Sequence, residues 1–205
     1  ENVFNVGCPS IDAIMKIKDD PNILEKYDLE ENNYFILLQH PVTTEYEDSK
    51  AQILITIKAL KKTDVSVIVI LPNNDAGYSR IIKELKNSNF MLVESLSLNE
   101  YVNLLKRCTG LIGNSSSGIH ETSSFNIPTI NIGSRQNGRL RPNNVFDVNH
   151  NEKEIINAIK KCLEFKRKNI IVDNLYGDGD SALRIIEIIK TIDLSNNIIQ
   201  KTITY

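Results

Sequence analysis

The sequence lacks a surplus of charge of either sign, and it lacks long apolar runs. Its 24 lysines and arginines nearly balance 26 aspartates and glutamates, for a formal net charge of −2. Proteins that bind the phosphate backbone of nucleic acids carry basic patches, so this balance argues against a nucleic-acid partner. No apolar run approaches the ~18 residues of a membrane span, and no signal peptide opens the chain. We therefore expect a cytoplasmic protein with no membrane contact.

Cysteine is also scarce. Cys8, Cys108 and Cys162 are scattered, odd in number and without CxxC spacing, so we expect reduced thiols of a cytosolic protein. The 205 residues are 41% hydrophobic, and a chain of this size buries roughly 70% of its unfolded surface. The chain is therefore expected to fold without a disulfide or a structural metal, and no motif requires a metal.

The sequence does contain an alternation of short β-branched runs with longer segments of helical periodicity. Most of the runs are continuously apolar, as expected for parallel strands that are covered on both faces. The predicted strands are residues 3–6, 35–39, 65–71, 90–94, 110–113, 129–132 and 145–148. Apolar residues at i, i+3 and i+4 predict helices at residues 51–62, 79–86, 99–107 and 152–165. A last helix is expected at residues 180–192. This order predicts an α/β fold built on a doubly wound parallel sheet.

The beginning of the chain is unusual. There is no initiator methionine, and residues 1–6 have the composition of a strand that is already under way. We therefore interpret the 205 residues as part of a longer chain.

In a doubly wound sheet, ligands bind in the loops that follow the carboxyl ends of the strands. The loop at residues 113–121 is the most informative of these, because three serines offer hydroxyl and N–H groups at a helix start, which suits phosphate. Glu121, further along, can accept the hydroxyls of a ribose. The alternative is a serine N-cap without any ligand. The loop is not a Gly-x-Gly-x-x-Gly fingerprint, which argues against NAD.

A histidine lies at the end of another apolar strand. His40 precedes Pro41, so its side chain is expected to face the crevice, where it can donate to a diphosphate or act on a leaving group. The alternative is a histidine bonded to main chain in a turn. We interpret His120, inside the predicted helix, and His150, in a polar run, as structural or solvated residues.

Charged side chains in two further loops allow two interpretations. Arg135 and Arg139, with Arg141 as a third candidate, share a glycine-containing loop without an acid, and their guanidinium groups suit phosphate. The alternative is arginines on a mobile surface loop. Asp178 and Asp180 flank glycines before a helix, and we interpret them as turn and N-cap residues and not as metal ligands.

Five motifs occur in the same order as in one known family and together cover essentially the whole chain. They are residues 7–10 (GCPS), 39–44 (QHPVTT), 114–121 (NSSSGIHE), 135–139 (RQNGR) and 176–179 (YGDG). With these motifs the sequence resembles the hydrolysing UDP-N-acetylglucosamine 2-epimerases, which include bacterial enzymes of sialic-acid biosynthesis. Non-hydrolysing relatives carry TDSGGIQEE and TERPE in place of the serine and arginine loops, and this sequence departs from both.

The resemblance implies a glycosyltransferase-B-like enzyme of two Rossmann-like lobes, in which residues 1–205 are the C-terminal, UDP-binding lobe. It implies that UDP-N-acetylglucosamine is converted to N-acetylmannosamine and UDP, by elimination of UDP to a glycal that is then hydrated. It implies no NAD or flavin, and a homo-oligomeric full-length enzyme. The carboxylates that move protons belong to the other lobe, on which residues 180–205 are expected to pack. The chain alone is therefore expected to bind without turnover.

The site residues follow from the same resemblance. Ser115 and Ser116 resemble the diphosphate contacts, and Glu121 resembles the acceptor of the ribose hydroxyls. His40 matches a histidine that is important for activity, through the departing phosphate. The positions that match the UDP site are Asn73, Ser115, Ser116, Glu121, Arg135 and Arg139.

Three alternatives remain open. A nucleotide-sugar glycosyltransferase of the same two-lobe class also has a glutamate near the ribose, but is expected to lack the His40 and Arg135 loops. A non-catalytic UDP-binding module would share the nucleotide loops. Within the epimerase interpretation, the substrate is N-acetylglucosamine on UDP, or a 2,4-diacetamido sugar on UDP or GDP as used for legionaminic acid.

Overall fold

A computed structural model describes residues 3–192 and contains a six-stranded parallel sheet. The strands are β1 (Tyr34–Leu38), β2 (Ser66–Ile70), β3 (Met91–Val93), β4 (Gly110–Gly113), β5 (Thr129–Ile132) and β6 (Val145–Val148). They lie in the order β3-β2-β1-β4-β5-β6, with every neighbouring pair parallel. This is the strand order of a Rossmann fold, and it confirms the predicted doubly wound α/β sheet.

Two helices of the described residues precede the first strand, and the others lie between and after the strands. They are α1 (Pro9–Met15), α2 (Ile23–Lys26), α3 (Ser49–Lys61), α4 (Tyr78–Lys86), α5 (Leu98–Arg107), α6 (Ser117–His120), α7 (Glu152–Lys168) and α8 (Ser181–Thr191). Two 3-10 helices, Thr43–Asp48 and Thr122–Phe125, accompany them. The four helices predicted from periodicity correspond to α3, α4, α5 and α7, and the expected last helix corresponds to α8. The sequence pattern misses α1 and α2, which are too short to display a period.

Helices cover the sheet on both faces, because alternate residues of the central strand point into different cores. Phe35 and Leu37 of β1 belong to a core shared with α3, α4 and α7. Tyr34 and Ile36 belong to a second core shared with α2 and α5. All five residues of β1 are buried, which explains why this strand is continuously apolar. The strand order reverses between β1 and β4, so the crevice for a ligand is expected at their carboxyl ends.

One predicted strand is wrong. Residues 3–6 pair with no strand of the described sheet and run as extended chain, with Val3 88% exposed. The main-chain oxygen of Val6 instead accepts a hydrogen bond from the side chain of Arg184 in α8. The β-branched composition favours an extended conformation, but the segment runs beside α8, where no strand edge is available for pairing.

The two terminal helices are joined through one buried carboxylate. Asp12 of α1 accepts hydrogen bonds from the main-chain N–H groups of Ser181 and Ala182, at 3.0 and 2.7 Å. Asp180, the predicted N-cap, makes no side-chain cap bond. A residue distant in sequence thus caps α8, and these bonds lower the pKa of Asp12.

The predicted terminal segment, residues 180–205, is only partly within the described part of the chain. Its helix α8 is present, with three exposed apolar side chains, Leu183, Ile186 and Ile189. Residues 193–205 lie outside the described residues. No helix within residues 3–192 combines the length and the apolar character needed to cross a membrane.

Candidate functional site

A buried asparagine ties three strand-end loops together. Asn114, directly after β4, accepts a hydrogen bond from the main-chain N–H of His40 at 2.7 Å and donates to the His40 carbonyl at 2.9 Å. Its own carbonyl accepts bonds from Arg135 Nη1 at 3.2 Å and Gln136 Nε2 at 2.7 Å. The loops after β1, β4 and β5 therefore hold a fixed arrangement. The sequence motifs contain Asn114 and Gln136, but nothing in them shows this organising role.

The tight approach of two strands requires a glycine just before Asn114. Gly113 has a φ of +135°, and a Cβ built on it would lie 2.1 Å from the carbonyl oxygen of Leu38. No other residue fits this position without moving β1 or β4. The glycine therefore allows Asn114 to reach the main chain of His40.

His40 is buried, and its ring is held in one tautomer. Its Nδ1 accepts a hydrogen bond from the main-chain N–H of Asn73 at 3.2 Å, so a neutral ring carries its proton on Nε2. Burial, with a smaller contribution from the positive charge of Arg135, lowers the pKa of His40 to about 4, against an opposing effect of Asp75. At neutral pH the residue is therefore an uncharged donor through Nε2. The structure thus shows the main-chain bond of the alternative interpretation at Nδ1, and the action of His40 on a ligand stays a prediction.

Asn73 contributes through its main chain. Its side chain is exposed, and the contact with His40 is made by its N–H. Two residues later, Asp75 lies 4.0 Å from Arg135 Nη2. Asn73 is therefore close to the predicted site, as expected, and the residue that the sequence interpretation overlooked in this loop is Asp75.

The serine loop presents free donors, although its helix is short. Within residues 3–192, the main-chain N–H groups of Ser115 and Ser116 have no acceptor, and Ser115 Oγ accepts from the N–H of Ser117 at 3.3 Å. The following helix α6 has only four residues before the chain continues as a 3-10 helix. A single turn carries little macrodipole, so the predicted attraction for phosphate depends on the free N–H and hydroxyl groups themselves.

Glu121 already has one protein partner. Ser117 Oγ donates to Glu121 Oε2 at 2.7 Å, and the hydroxyl of Tyr101 donates in turn to Ser117. Burial raises the pKa of Glu121, and the bond from Ser117 opposes that shift. In the described residues the second carboxylate oxygen, Oε1, has no partner. The arrangement fits a carboxylate that both orders its loop and accepts a hydrogen bond from a ligand.

The arginines separate into two groups. Arg135 points to the Asn114 carbonyl and to Asp75, next to His40. Arg139 lies beside α6, with Nη1 2.8 Å from Nε2 of His120. Arg141 forms an ion pair with Asp147 at 3.0 Å, so its charge is neutralised and the structure does not favour it as a phosphate ligand.

Of the two predicted turn acids, Asp178 forms a turn hydrogen bond, whereas Asp180 lies at the N-cap of α8 without a side-chain cap bond. Asp178 accepts from the main-chain N–H of Asp180 at 3.3 Å and forms an ion pair with Arg184. The guanidinium of Arg184 lowers the pKa of Asp178 strongly. Among the described residues, no group of three or more histidine, cysteine or acidic side chains is arranged to hold a metal ion.

A cleft of about 470 Å³ opens beside the His40 loop. It is lined by residues 41–45, Asp75, Ser134 and Arg135. Glu45 forms its acidic wall, held by hydrogen bonds from Gln52 Nε2 at 2.8 Å and from the hydroxyl of Ser134. These bonds lower the pKa of Glu45. A second cleft of similar volume lies near the amino ends of the strands and is lined in part by Lys166 and Asn169. The volume of a cleft alone therefore does not identify the functional site.

Comparison with known proteins identifies a family. Residues 1–190 match the family described as UDP-N-acetylglucosamine 2-epimerase. A UDP-N,N'-diacetylbacillosamine 2-epimerase (hydrolyzing) of Legionella pneumophila is 32% identical over 212 residues, which is 100% of this chain and 56% of the relative. A UDP-N-acetylglucosamine 2-epimerase of Neisseria meningitidis serogroup B is 29% identical over 209 residues, which is 98% of this chain and 55% of the relative.

Solved structures agree on the fold. A UDP-GlcNAc 2-epimerase from Neisseria meningitidis, bound to UDP-GlcNAc, superposes with a TM-score of 0.75 at 20% identity, over 93% of this chain and 56% of that one. This likeness supports the Rossmann-like fold. The chain spans about half the length of the relatives that it matches.

Proposed function

Because this chain belongs to the UDP-N-acetylglucosamine 2-epimerase family, we propose that it is the UDP-binding lobe of a hydrolysing 2-epimerase. The full-length enzyme then releases UDP and the C2-epimerised sugar, N-acetylmannosamine in the case of UDP-N-acetylglucosamine. The observation that carries the proposal is the buried His40, whose Nδ1 accepts from main chain and whose Nε2 has no partner among the described residues. Its loop is tied through Asn114 to the loop of Arg135. A donor held in this way suits a departing phosphate.

In the proposed reaction the C2 proton is removed and the bond from C1 to the phosphate oxygen breaks, which leaves a glycal and UDP. Water then adds to C1 while a proton returns to C2 from the opposite face. The carboxylates for these two proton transfers lie in the other lobe. The task of this lobe is to bind UDP and to stabilise the negative charge that develops on the β-phosphate.

We assign the diphosphate to the free N–H groups of Ser115 and Ser116, with Arg135 and Arg139 as its cationic partners. The ribose hydroxyls belong to Oε1 of Glu121, the carboxylate oxygen without a partner in the described residues. His40 donates from Nε2 to the departing oxygen. A hydrogen bond from a neutral donor strengthens as that charge grows, so His40 favours the transition state over the bound substrate.

A second substrate has a specific observation in its favour. The Legionella pneumophila relative, 32% identical, is a hydrolysing 2-epimerase of UDP-N,N'-diacetylbacillosamine, a 2,4-diacetamido sugar. A product assay on the full-length enzyme tests both sugars. Release of UDP together with a 2-epimerised free sugar supports the hydrolysing activity, and the faster sugar identifies the substrate. A 2-epimerised sugar that remains attached to UDP contradicts it.

The terminal helix supports the assignment of the chain to one of two lobes. Leu183, Ile186 and Ile189 of α8 are exposed, and an exposed apolar helix face marks a contact surface. We propose that this face packs on the other lobe of the full-length enzyme. The homo-oligomeric state expected from the resemblance stays a prediction.

A further inference from the structure

Two side chains without an assigned role, His120 and Tyr176, form a connected unit with Arg139 beside the serine loop. His120, the last residue of α6, stacks on Tyr176, with 4.1 Å between ring centroids and 30° between the ring planes. Its Nε2 lies 2.8 Å from Nη1 of Arg139. The Tyr176 hydroxyl donates to the carbonyl oxygen of Leu140 at 3.0 Å. Tyr176 therefore contacts both the ring that meets the guanidinium and the main chain directly after Arg139.

The hydrogen bond between Arg139 and His120 has only one possible direction. A guanidinium has donors and no acceptor, so Nε2 of His120 must accept and the neutral ring must carry its proton on Nδ1. The desolvated ring favours this uncharged form, since burial, followed by the charge of Arg139, lowers the pKa of His120. One guanidinium donor is thereby used, and the others remain available.

Arg139 needs such support, because its guanidinium makes no other hydrogen bond among the described residues. It is exposed and follows Gly138, which has a φ of +80°, and within residues 3–192 it has no acidic partner. A long side chain on an exposed loop loses conformational entropy when it binds a ligand. A contact that fixes the guanidinium beforehand removes part of that cost.

The other end of the unit is anchored as well. The main-chain N–H of Tyr176 donates to Asn174 Oδ1 at 3.0 Å, and Asn174 Nδ2 donates to Ser124 Oγ at 2.8 Å. Ser124 lies in the 3-10 helix that follows Glu121. The loop that carries Tyr176 is therefore tied to the same segment of chain as the proposed diphosphate and ribose contacts.

We propose that His120 and Tyr176 form a clamp that positions the Arg139 guanidinium to bind a phosphate of the nucleotide. The proposal rests on the proposed function, since it takes UDP as the ligand of this lobe. His120 and Tyr176 are positioning residues in this arrangement, and Arg139 is the residue that touches the ligand.

The experiment compares UDP with uridine on the 205-residue chain by calorimetry. Uridine lacks the phosphates, so a clamp on Arg139 affects UDP alone. We expect Arg139→Gln to weaken UDP binding about tenfold, the scale of one charge-assisted hydrogen bond, and Arg167→Gln, the same change at a remote exposed arginine, to leave it unchanged. We expect His120→Ala to weaken UDP binding about fivefold with uridine unaffected, and His120→Gln, which retains an acceptor, to restore most of the affinity.

A double-mutant cycle isolates the coupling. If His120 acts through Arg139, adding His120→Ala to Arg139→Gln causes no further loss of UDP affinity. Tyr176→Phe keeps the stacked ring and loses the bond to Leu140, so it serves as a second variant should His120→Ala fail to fold, and we expect it too to weaken UDP selectively.

Equal losses for UDP and uridine, or a full additional loss in the double variant, overturn the clamp and leave the proposed function intact. An unaltered chain that does not bind UDP overturns the proposed function, and the clamp's role with it.

Discussion

Nδ1 of His40 accepts a 3.2 Å hydrogen bond from the main-chain N–H of Asn73. This contact joins the loops after β1 and β2, and it leaves the single proton of a neutral imidazole on Nε2. It thereby determines which side of the ring can donate to a ligand. The chemistry proposed for this lobe follows from that tautomer.

The first prediction concerns turnover. In the full-length enzyme, His40→Asn should lower kcat by roughly 100-fold or more, with a modest change in KM, because the donor meets charge that is largest in the transition state. Asparagine still forms hydrogen bonds, so collapse of the loop is not expected. Steady-state kinetics measure both constants. A large rise in KM with kcat preserved would make His40 a ground-state binding group instead.

The second prediction concerns stability against pH. The pKa of His40 is about 4 in the folded chain against 6.5 for an ordinary histidine, so between these values the unfolded chain binds more protons. Stability should therefore fall as the pH decreases from 6.5 to 4, by about 3 kcal/mol for this residue. Urea unfolding of the chain and of His40→Asn at several pH values isolates the effect, since all other groups are shared. Parallel stability curves for the two proteins are incompatible with a buried neutral His40.

The third prediction concerns Glu121. Glu121→Ala should weaken UDP binding by roughly 1.5–3 kcal/mol, the scale of a charge-assisted hydrogen bond, and should affect a 2',3'-dideoxy analogue much less. Glu164→Ala, which removes an exposed carboxylate on α7, is the matched control. Calorimetric titration with both nucleotides measures these changes in affinity. Equal losses for UDP and the analogue would assign Glu121 to ordering its loop through Ser117.

The fourth prediction compares two glycines. At Gly113 an added Cβ meets the Leu38 carbonyl at 2.1 Å, whereas at Gly138, also at positive φ, it meets nothing within 4 Å. Gly138→Ala should therefore cost only the conformational strain, about 1 kcal/mol, and Gly113→Ala should cost more than about 3 kcal/mol. Thermal and urea unfolding of both variants test this. Similar costs would mean that β1 and β4 separate easily at the site.

The sheet was accessible from the sequence because its central strands β1, β4 and β5 are buried throughout, and most of its strands read as short apolar runs. The exception, residues 3–6, has the same composition and no partner, and composition carries no information about pairing. Helices α1 and α2 could not be predicted from the sequence, because a helical period cannot be recognised over one or two turns. The capping of α8 could not be predicted for another reason. Its capping residue, Asp12, is separated from α8 by nearly the whole length of the sequence.

The candidate site, too, could be predicted from the sequence only in part. Motif order predicts which loops converge, and the structure brings the loops of His40, Asn73, Ser115 and Arg135 together at one edge of the sheet. The role of Asn114 depends on distances between three loops, and no local pattern encodes it. His120 appears structural from its helical position, yet only the fold brings Tyr176 and Arg139 to its ring.

The most direct test of the account is calorimetric titration of the 205-residue chain with UDP, followed by a product assay with UDP-N-acetylglucosamine. We predict that the chain binds UDP and produces no N-acetylmannosamine, because the proposed function assigns the nucleotide contacts to this chain and the carboxylates for proton transfer to the other lobe. Absence of UDP binding, or turnover by the chain alone, contradicts that division of labour between the two lobes.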